Sequence, residues 1–390
     1  MVTKSYLAPE RTEVVNVARS LAAHGEFANA YSPTSGPTAH TSPVYPLLLS
    51  IVYRWFGAGQ AGEVAQEVFA CCLASLLWGW MPAASSIFGL GTSVGVVAGM
   101  MGALLPINRW PETKGSFEAP LTAVMLAMLF SAFLCTWKRS QPSLAHAVGL
   151  GILGALAILV APTLASALAV LLVLSCFRFR RDGAIRIVTY VLVVAVLAFF
   201  LLLPWGIRNY RVLGKFIVTR SNFGLELQAS NNDFAKAKVY DNEFANKRYH
   251  PKENRAELQR VESMGEIAYN RQKLQEATDW IRAHPRRFMS LTVQRVFYFW
   301  FPNMKRPAQT VLLGLLTLGA ILGGFRLYRD DHLVAIAFVS VLLTYPLIYY
   351  IVQSDARYVY PISWMIYFLA AYYLFGMWSS VRNSRTGTTQ

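Results

Sequence analysis

The chain has 390 residues, of which 55% are hydrophobic and 15% charged, with a mean hydropathy of +0.37 and a formal net charge of +15. Soluble domains run nearer to a quarter charged, so an apolar excess spread over the whole length means a chain whose solvent is largely lipid. Those figures exclude a soluble single-domain enzyme, a small secreted disulfide scaffold and a disordered protein. Cys71, Cys72, Cys135 and Cys176 all lie in apolar runs and read as small hydrophobes, not as redox or metal chemistry.

The N-terminal segment, 1–63, is predicted to lie outside the bilayer, with a short helix at its surface. Val14, Val17, Ala18 and Leu21 recur at helical spacing and His24-Gly25 marks the stop. Glu13 heads that helix, where an acid ordinarily complements the helix dipole. The run 44–56 is too short to span and should lie in the interface or re-enter. Apolar stretches long enough to cross follow at 64–82, 86–105 and 119–137. The stretch 144–177 is broken at Ala161-Pro162-Thr163 into two short passes, because proline fixes φ and offers no N–H. Further crossings at 185–205, 309–325, 333–352 and 360–378 bring the number to about nine.

The short loops set the orientation. Lys138, Arg139, Arg178, Arg180, Arg181, Arg186, Arg326, Arg329, Arg382 and Arg385 face only Asp182, Asp330 and Asp331 on one side, whereas Arg109, Lys114 and Arg357 are the bases of the other. The positive-inside rule makes the first set cytoplasmic. The expected units are therefore an outer loop with an interfacial helix (1–63), a membrane bundle of about six crossings (64–205), an outer, basic, mostly helical segment (206–308), three C-terminal crossings (309–380) and a cytoplasmic tail (381–390). Residues 206–308 hold 19 basic and 10 acidic side chains. Such a face suits a phosphate-bearing partner, and nucleic acid is not expected there. Because nothing precedes 1–63 to carry it across, a first transmembrane helix is expected to be missing from the sequence.

Several polar residues sit where the outer segments meet the membrane. Glu118 immediately precedes a span, where a carboxylate is costly unless paired, with Arg109 or Lys114 as the nearby bases, or hydrated in a cavity. Arg208, beside Trp205 and Tyr210, either snorkels to head groups or binds a specific phosphate through its fork. Arg357 is either neutralised by Asp355 or presented to an anionic ligand. From Lys252 to Ala283 the apolar residues Leu258, Val261, Met264, Ala268, Leu274, Ala277 and Ile281 predict a soluble helix, ended by His284-Pro285. His250 and His284 each precede proline without a second ligand at metal-like spacing, so no metal site is expected.

Four blocks then stand out in order: Glu13-x3-Val-Ala-Arg-Ser-Leu-Ala-x2-Gly-x-Phe, Gly36-Pro-Thr-Ala-x3-Pro-x-Tyr-Pro, Pro204-Trp-x2-Arg-Asn-Tyr-x3-Gly and Asp355-Ala-Arg-Tyr-x2-Pro. Together they resemble GT-C membrane glycosyltransferases, more narrowly the bacterial family related to protein O-mannosyltransferases and lipid A aminoarabinose transferases. The resemblance runs over nearly the whole chain. It implies an all-α polytopic membrane protein with a GT-C-like helix bundle, and a polyprenyl-phosphate-linked sugar as donor substrate, with no cofactor. It also implies an active site on the outer face of a bacterial inner membrane, and a glycan, lipid or protein acceptor. By matching motif, Glu13 and Glu118 become the catalytic acids and Arg208 and Arg357 the donor-phosphate ligands; His40, Tyr45, Asn231, Asn232 and Tyr358 are candidate substrate contacts. There is no Asp-x-Asp metal motif, which argues against a nucleotide-sugar donor. A lipid-linked saccharide flippase or a non-catalytic scaffold are the competing readings. Transporters usually carry internal repeats and charges within the spans, and neither is found here.

Overall fold

A computed structural model describes residues 12–105, 109–137, 143–180, 183–302 and 307–386. Among these residues the chain is helical throughout, with two isolated β-bridges, Ala28 to Pro37 and Lys238 to Ser354. The helices, in chain order, are α1 (Glu13–His24), α2 (Val44–Phe56), α3 (Gln60–Phe88), α4 (Thr92–Leu104), α5 (Arg109–Lys114), α6 (Ala119–Trp137), α7 (Leu144–Val160), α8 (Leu164–Arg178) and α9 (Ala184–Leu213). The remainder are α10 (Phe223–Ser230), α11 (Glu243–Tyr249), α12 (Arg255–Met264), α13 (Glu266–Ala283), α14 (Pro285–Trp300), α15 (Pro307–Asp330), α16 (His332–Thr344) and α17 (Ala356–Thr386).

Among the described residues, six segments are long and apolar enough to cross a membrane: Gln60–Phe88, Ala119–Trp137, Ala184–Leu213, Pro307–Asp330, His332–Tyr350 and Ala356–Met377. The shorter helices α4, α7 and α8 occupy the other three expected crossings. The break between α7 and α8 falls at Ala161–Thr163, where Pro162 removes a donor. Elsewhere the boundaries differ from expectation. α3 runs on to Phe88 and Gly89, at φ 76°, closes it. That leaves α4 only 13 residues, roughly 20 Å, which is short of a full hydrocarbon core. α4 lies close along α3, because a Cβ at Gly95 or Gly99 would stand 2.3 or 2.6 Å from the Met81 or Trp78 carbonyl oxygen. α9 continues through Pro204 to Leu213. α17 reaches Thr386, so the segment expected to be a tail is helical as far as it is described.

α6 is the central helix, with 83% of its apolar window buried, whereas α9 is peripheral, with 17%. The bundle core centres on Phe88, Phe130, Phe338, Trp364 and Phe368, whose rings meet at centroid distances between 4.7 and 6.4 Å.

α1 joins this bundle to the polar segment. Its N-cap Thr12 accepts from the Val15 amide, and Gly25, at φ 74°, ends it. Val14, Val15 and Ala18 belong to the bundle core, while Val17 and Leu21 pack with Leu225, Val261 and Tyr269 of α10, α12 and α13. α1 is therefore a wedge between two bodies of protein. The helix expected over 252–283 is divided at Gly265, whose φ of 81° lets the chain turn between α12 and α13. The apolar stripe is only part of its buried face: Glu257 and Lys273, 2.9 Å apart, and Tyr269, donating to Glu257 at 2.7 Å, form a polar core there.

Candidate functional site

The wedge position of α1 brings its first turn to a cavity of about 980 Å³. The walls come from that turn, the loop at His40-Thr41, the entry to α6, the α7–α8 break, the stretch from Thr219 to Glu226, the turn after α11 and the segment from Thr344 to Tyr358.

Glu13 stands on one wall, half-buried, with its Oε1 3.8 Å from His250 Nε2. Thr12 holds this turn in place by donating to the Ser116 carbonyl at 2.8 Å. Burial raises the Glu13 pKa, but the neighbouring His250 and Lys252, with a backbone hydrogen bond, outweigh it and leave the carboxyl below its ordinary range. At neutral pH it is a carboxylate. His40 lies behind it. Burial drops the His40 pKa to about 3, so its ring is neutral, and its Nδ1 is 2.8 Å from the Tyr31 hydroxyl. Burial also holds the Tyr31 hydroxyl protonated, so it is available as a donor to that nitrogen.

Glu118 is at the α6 entry, where its carbonyl accepts from the Thr122 amide, and its carboxylate is 3.3 Å from Arg220 Nη1. Lys114 instead approaches Glu67 at 3.5 Å, and the side chain of Arg109 lies outside the described residues. Arg357, in the first turn of α17, also lines the cavity. Its guanidinium is 4.0 Å from the Phe117 ring centroid, donates to the Tyr358 hydroxyl at 3.1 Å and pairs with Asp355 at 3.5 Å. Arg357 is thus paired with Asp355 and also lines the cavity.

Arg208 is placed differently. It is not on the cavity wall; Nη1 donates to the Thr38 carbonyl and Nη2 to the Phe27 carbonyl, each at 2.6 Å, between the Phe27 and Trp205 rings. Beside it the buried Glu266 accepts from the Thr38 hydroxyl, the Ala39 amide and the Ser221 hydroxyl. This pair braces the loops that carry His40 and Arg220. Tyr45, Asn231 and Asn232 are likewise buried supports. Tyr45 donates to the Gly115 carbonyl at 2.8 Å, Asn231 to Leu227 and Ile351, and Asn232 to Gln228 and Ala229. His40 and Tyr358 do line the cavity, with Glu13, Glu118 and Arg357.

Two cavity residues are not identified by sequence reasoning. Arg220 sits in a polar stretch with nothing periodic about it, and His250 reads only as a helix-flanking residue before proline. Among the described residues, no group of three or more His, Cys, Asp or Glu side chains is placed to hold a metal ion.

No protein-family model matches the chain, and no curated protein sequence matches it. Solved structures do. The apo oligosaccharyltransferase of Archaeoglobus fulgidus is similar over 97% of this chain, with a TM-score of 0.54 at 15% identity. The same archaeal oligosaccharyltransferase in complex with an inhibitory peptide and a dolichol-phosphate is similar over 96%, with a TM-score of 0.52. ArnT from Cupriavidus metallidurans bound to undecaprenyl phosphate aligns over 97% of this chain and 75% of its own, with a TM-score of 0.38 at 13% identity. The chain has a GT-C membrane-protein fold, as its motifs imply. It spans 47–48% of the length of the two oligosaccharyltransferase chains.

Proposed function

We propose that the chain is a membrane glycosyltransferase that moves a sugar from a polyprenyl-phosphate donor to a cell-envelope acceptor at the outer face of a bacterial inner membrane. The observation that carries this reading is one cavity with a carboxylate, Glu13, and two guanidiniums, Arg220 and Arg357, on its walls. The wall residues at 12–14, 40–41, 117–118, 219–226, 239–253 and 353–358 belong to parts of the chain that the short-loop charge bias assigns to the outer side, and the others lie at the adjoining ends of crossings. Leu347, Ile348, Ile351 and Val352 give the same cavity an apolar wall suited to a prenyl chain. The similar archaeal oligosaccharyltransferase holds a dolichol-phosphate, a ligand of that chemistry.

The chemistry asks little of such a site. An acceptor hydroxyl or amine attacks the anomeric carbon, its proton passes to Glu13, and the bond from that carbon to the phosphate oxygen breaks. The phosphate leaves as a stable anion, so the protonated acid of a glycosidase is not needed. Arg357 and Arg220 hydrogen-bond the charge that accumulates on it. Glu118 holds Arg220 in place. Arg208 contributes through the loops it braces, without touching the donor.

The test uses the full chain in lipid nanodiscs, a panel of labelled polyprenyl-phosphate hexoses and pentoses, and envelope lipid and glycan fractions as acceptors. Label should pass from one donor to an acceptor. Arg357→Lys keeps the charge but loses the fork, roughly 1–3 kcal/mol, and should lower kcat/KM for the donor about tenfold or more. Folded protein that moves no sugar from any of these donors would overturn the reading.

A further inference from the structure

His250 enters the cavity from the turn after α11, with its ring geometry fixed by its own backbone. Its Nδ1 accepts the Lys252 amide hydrogen at 3.3 Å. A nitrogen that accepts cannot carry the proton, so in the neutral ring the hydrogen is on Nε2. That nitrogen faces Glu13 Oε1 at 3.8 Å. The ring is flanked by Tyr31 and His40, at centroid distances of 6.0 and 6.3 Å. His40 cannot take the same role through Nδ1, which the Tyr31 hydroxyl occupies.

We propose that His250 is the positioning residue of Glu13: its Nε2–H holds one carboxylate oxygen and leaves the other to receive the acceptor's proton. This rests on the glycosyltransferase reading and names a second side chain for its proton-transfer step. The 3.8 Å separation is longer than a hydrogen bond, as is common for a catalytic pair before substrate closes it. The pairing has two consequences. It fixes which oxygen of Glu13 is free. It also holds the carboxyl deprotonated, because removing a donor or a positive charge from beside a carboxylate raises its pKa. The other charged and titratable groups facing Glu13 are Lys252 on the same turn as His250, and His40 and Tyr31 on the segment between α1 and α2. Arg220, Glu118 and Glu253 also line the cavity.

The readout needs no substrate. Carbodiimide adds to protonated carboxyls, and trypsin releases the peptide from Thr12 to Arg19, whose only carboxyl side chain is Glu13. Labelling of that peptide against pH, on the full chain in nanodiscs, reports the protonation of Glu13. His250→Phe should raise the labelling midpoint by roughly one pH unit, and His250→Gln, which keeps an N–H donor, should recover part of that shift. In the transfer assay the acid limb of kcat should move up with the midpoint while the donor KM stays the same. An unchanged midpoint in His250→Phe would overturn the proposal, as would equal losses of transfer in both variants with no movement of the limb. A shifted midpoint in a protein that transfers no sugar would keep the Glu13–His250 pairing and remove the donor reading instead.

Discussion

Arg208 and Arg357 both sit beside aromatic residues at the edge of a span, and the sequence offers each an anion-binding role beside an ordinary one, snorkelling for Arg208 and pairing with Asp355 for Arg357. What separates them is which oxygens their nitrogens reach. Arg208 places both terminal nitrogens on backbone carbonyls of the Phe27–Thr38 loop, so its fork is already filled. Arg357 keeps its guanidinium on the cavity wall against Phe117 and Tyr358. Arg208→Lys cannot span two carbonyls and should cost about 1–3 kcal/mol of stability, read as a lower melting temperature in detergent. The folded fraction should keep its donor affinity. Unchanged melting with lost donor affinity would return Arg208 to the phosphate. The legible part of the site was the acids and Arg357, because a costly charge at the membrane edge is visible in a string of letters. Arg220 and His250 were not, because their roles come only from the long-range meeting of 118 with 220 and of 13 with 250.

At the scale of elements, apolar run length and Pro162 located the crossings, and the helical spacing from Val14 to Leu21 with the His24-Gly25 stop located α1. Helix ends were less legible, since they are set by close approaches between helices that a single sequence does not display. Gly265 shows this: the apolar period continues across it, yet it turns the chain so that Glu257 and Lys273 meet. Gly224 shows it again. It brings α10 onto α13 so closely that a Cβ there would stand 2.0 Å from the Asn270 carbonyl oxygen. Gly224→Ala should therefore push α10 away and cost about 1–3 kcal/mol, with faster amide exchange in α10 and in the Asn231 turn it supports. Wild-type melting and exchange would contradict so close a contact between α10 and α13.

The whole molecule is a lipid-facing bundle with a polar helical body joined to it by α1, and the candidate site lies at that joint. A cavity that opens to the outer side needs the 206–308 body on that side. Lys236 and Arg329 are both exposed, one on that body and one in the last turn of α15. In a background without the four native cysteines, Lys236→Cys should react with an impermeant maleimide in intact spheroplasts, and Arg329→Cys only after permeabilisation. The reverse pattern would invert the molecule and leave the cavity on the cytoplasmic side.

The central claim is that Glu13 takes the acceptor's proton in a transfer from a polyprenyl-phosphate sugar. Single-turnover transfer by the full chain in nanodiscs, wild type against Glu13→Gln, tests it most directly. The substitution preserves shape and hydrogen bonding and removes the base. The rate constant should fall about 10²–10⁴-fold with donor binding unchanged. Transfer at the wild-type rate in Glu13→Gln would contradict the account and move the proton-accepting role to another carboxylate, with Glu118 the next candidate on the cavity wall.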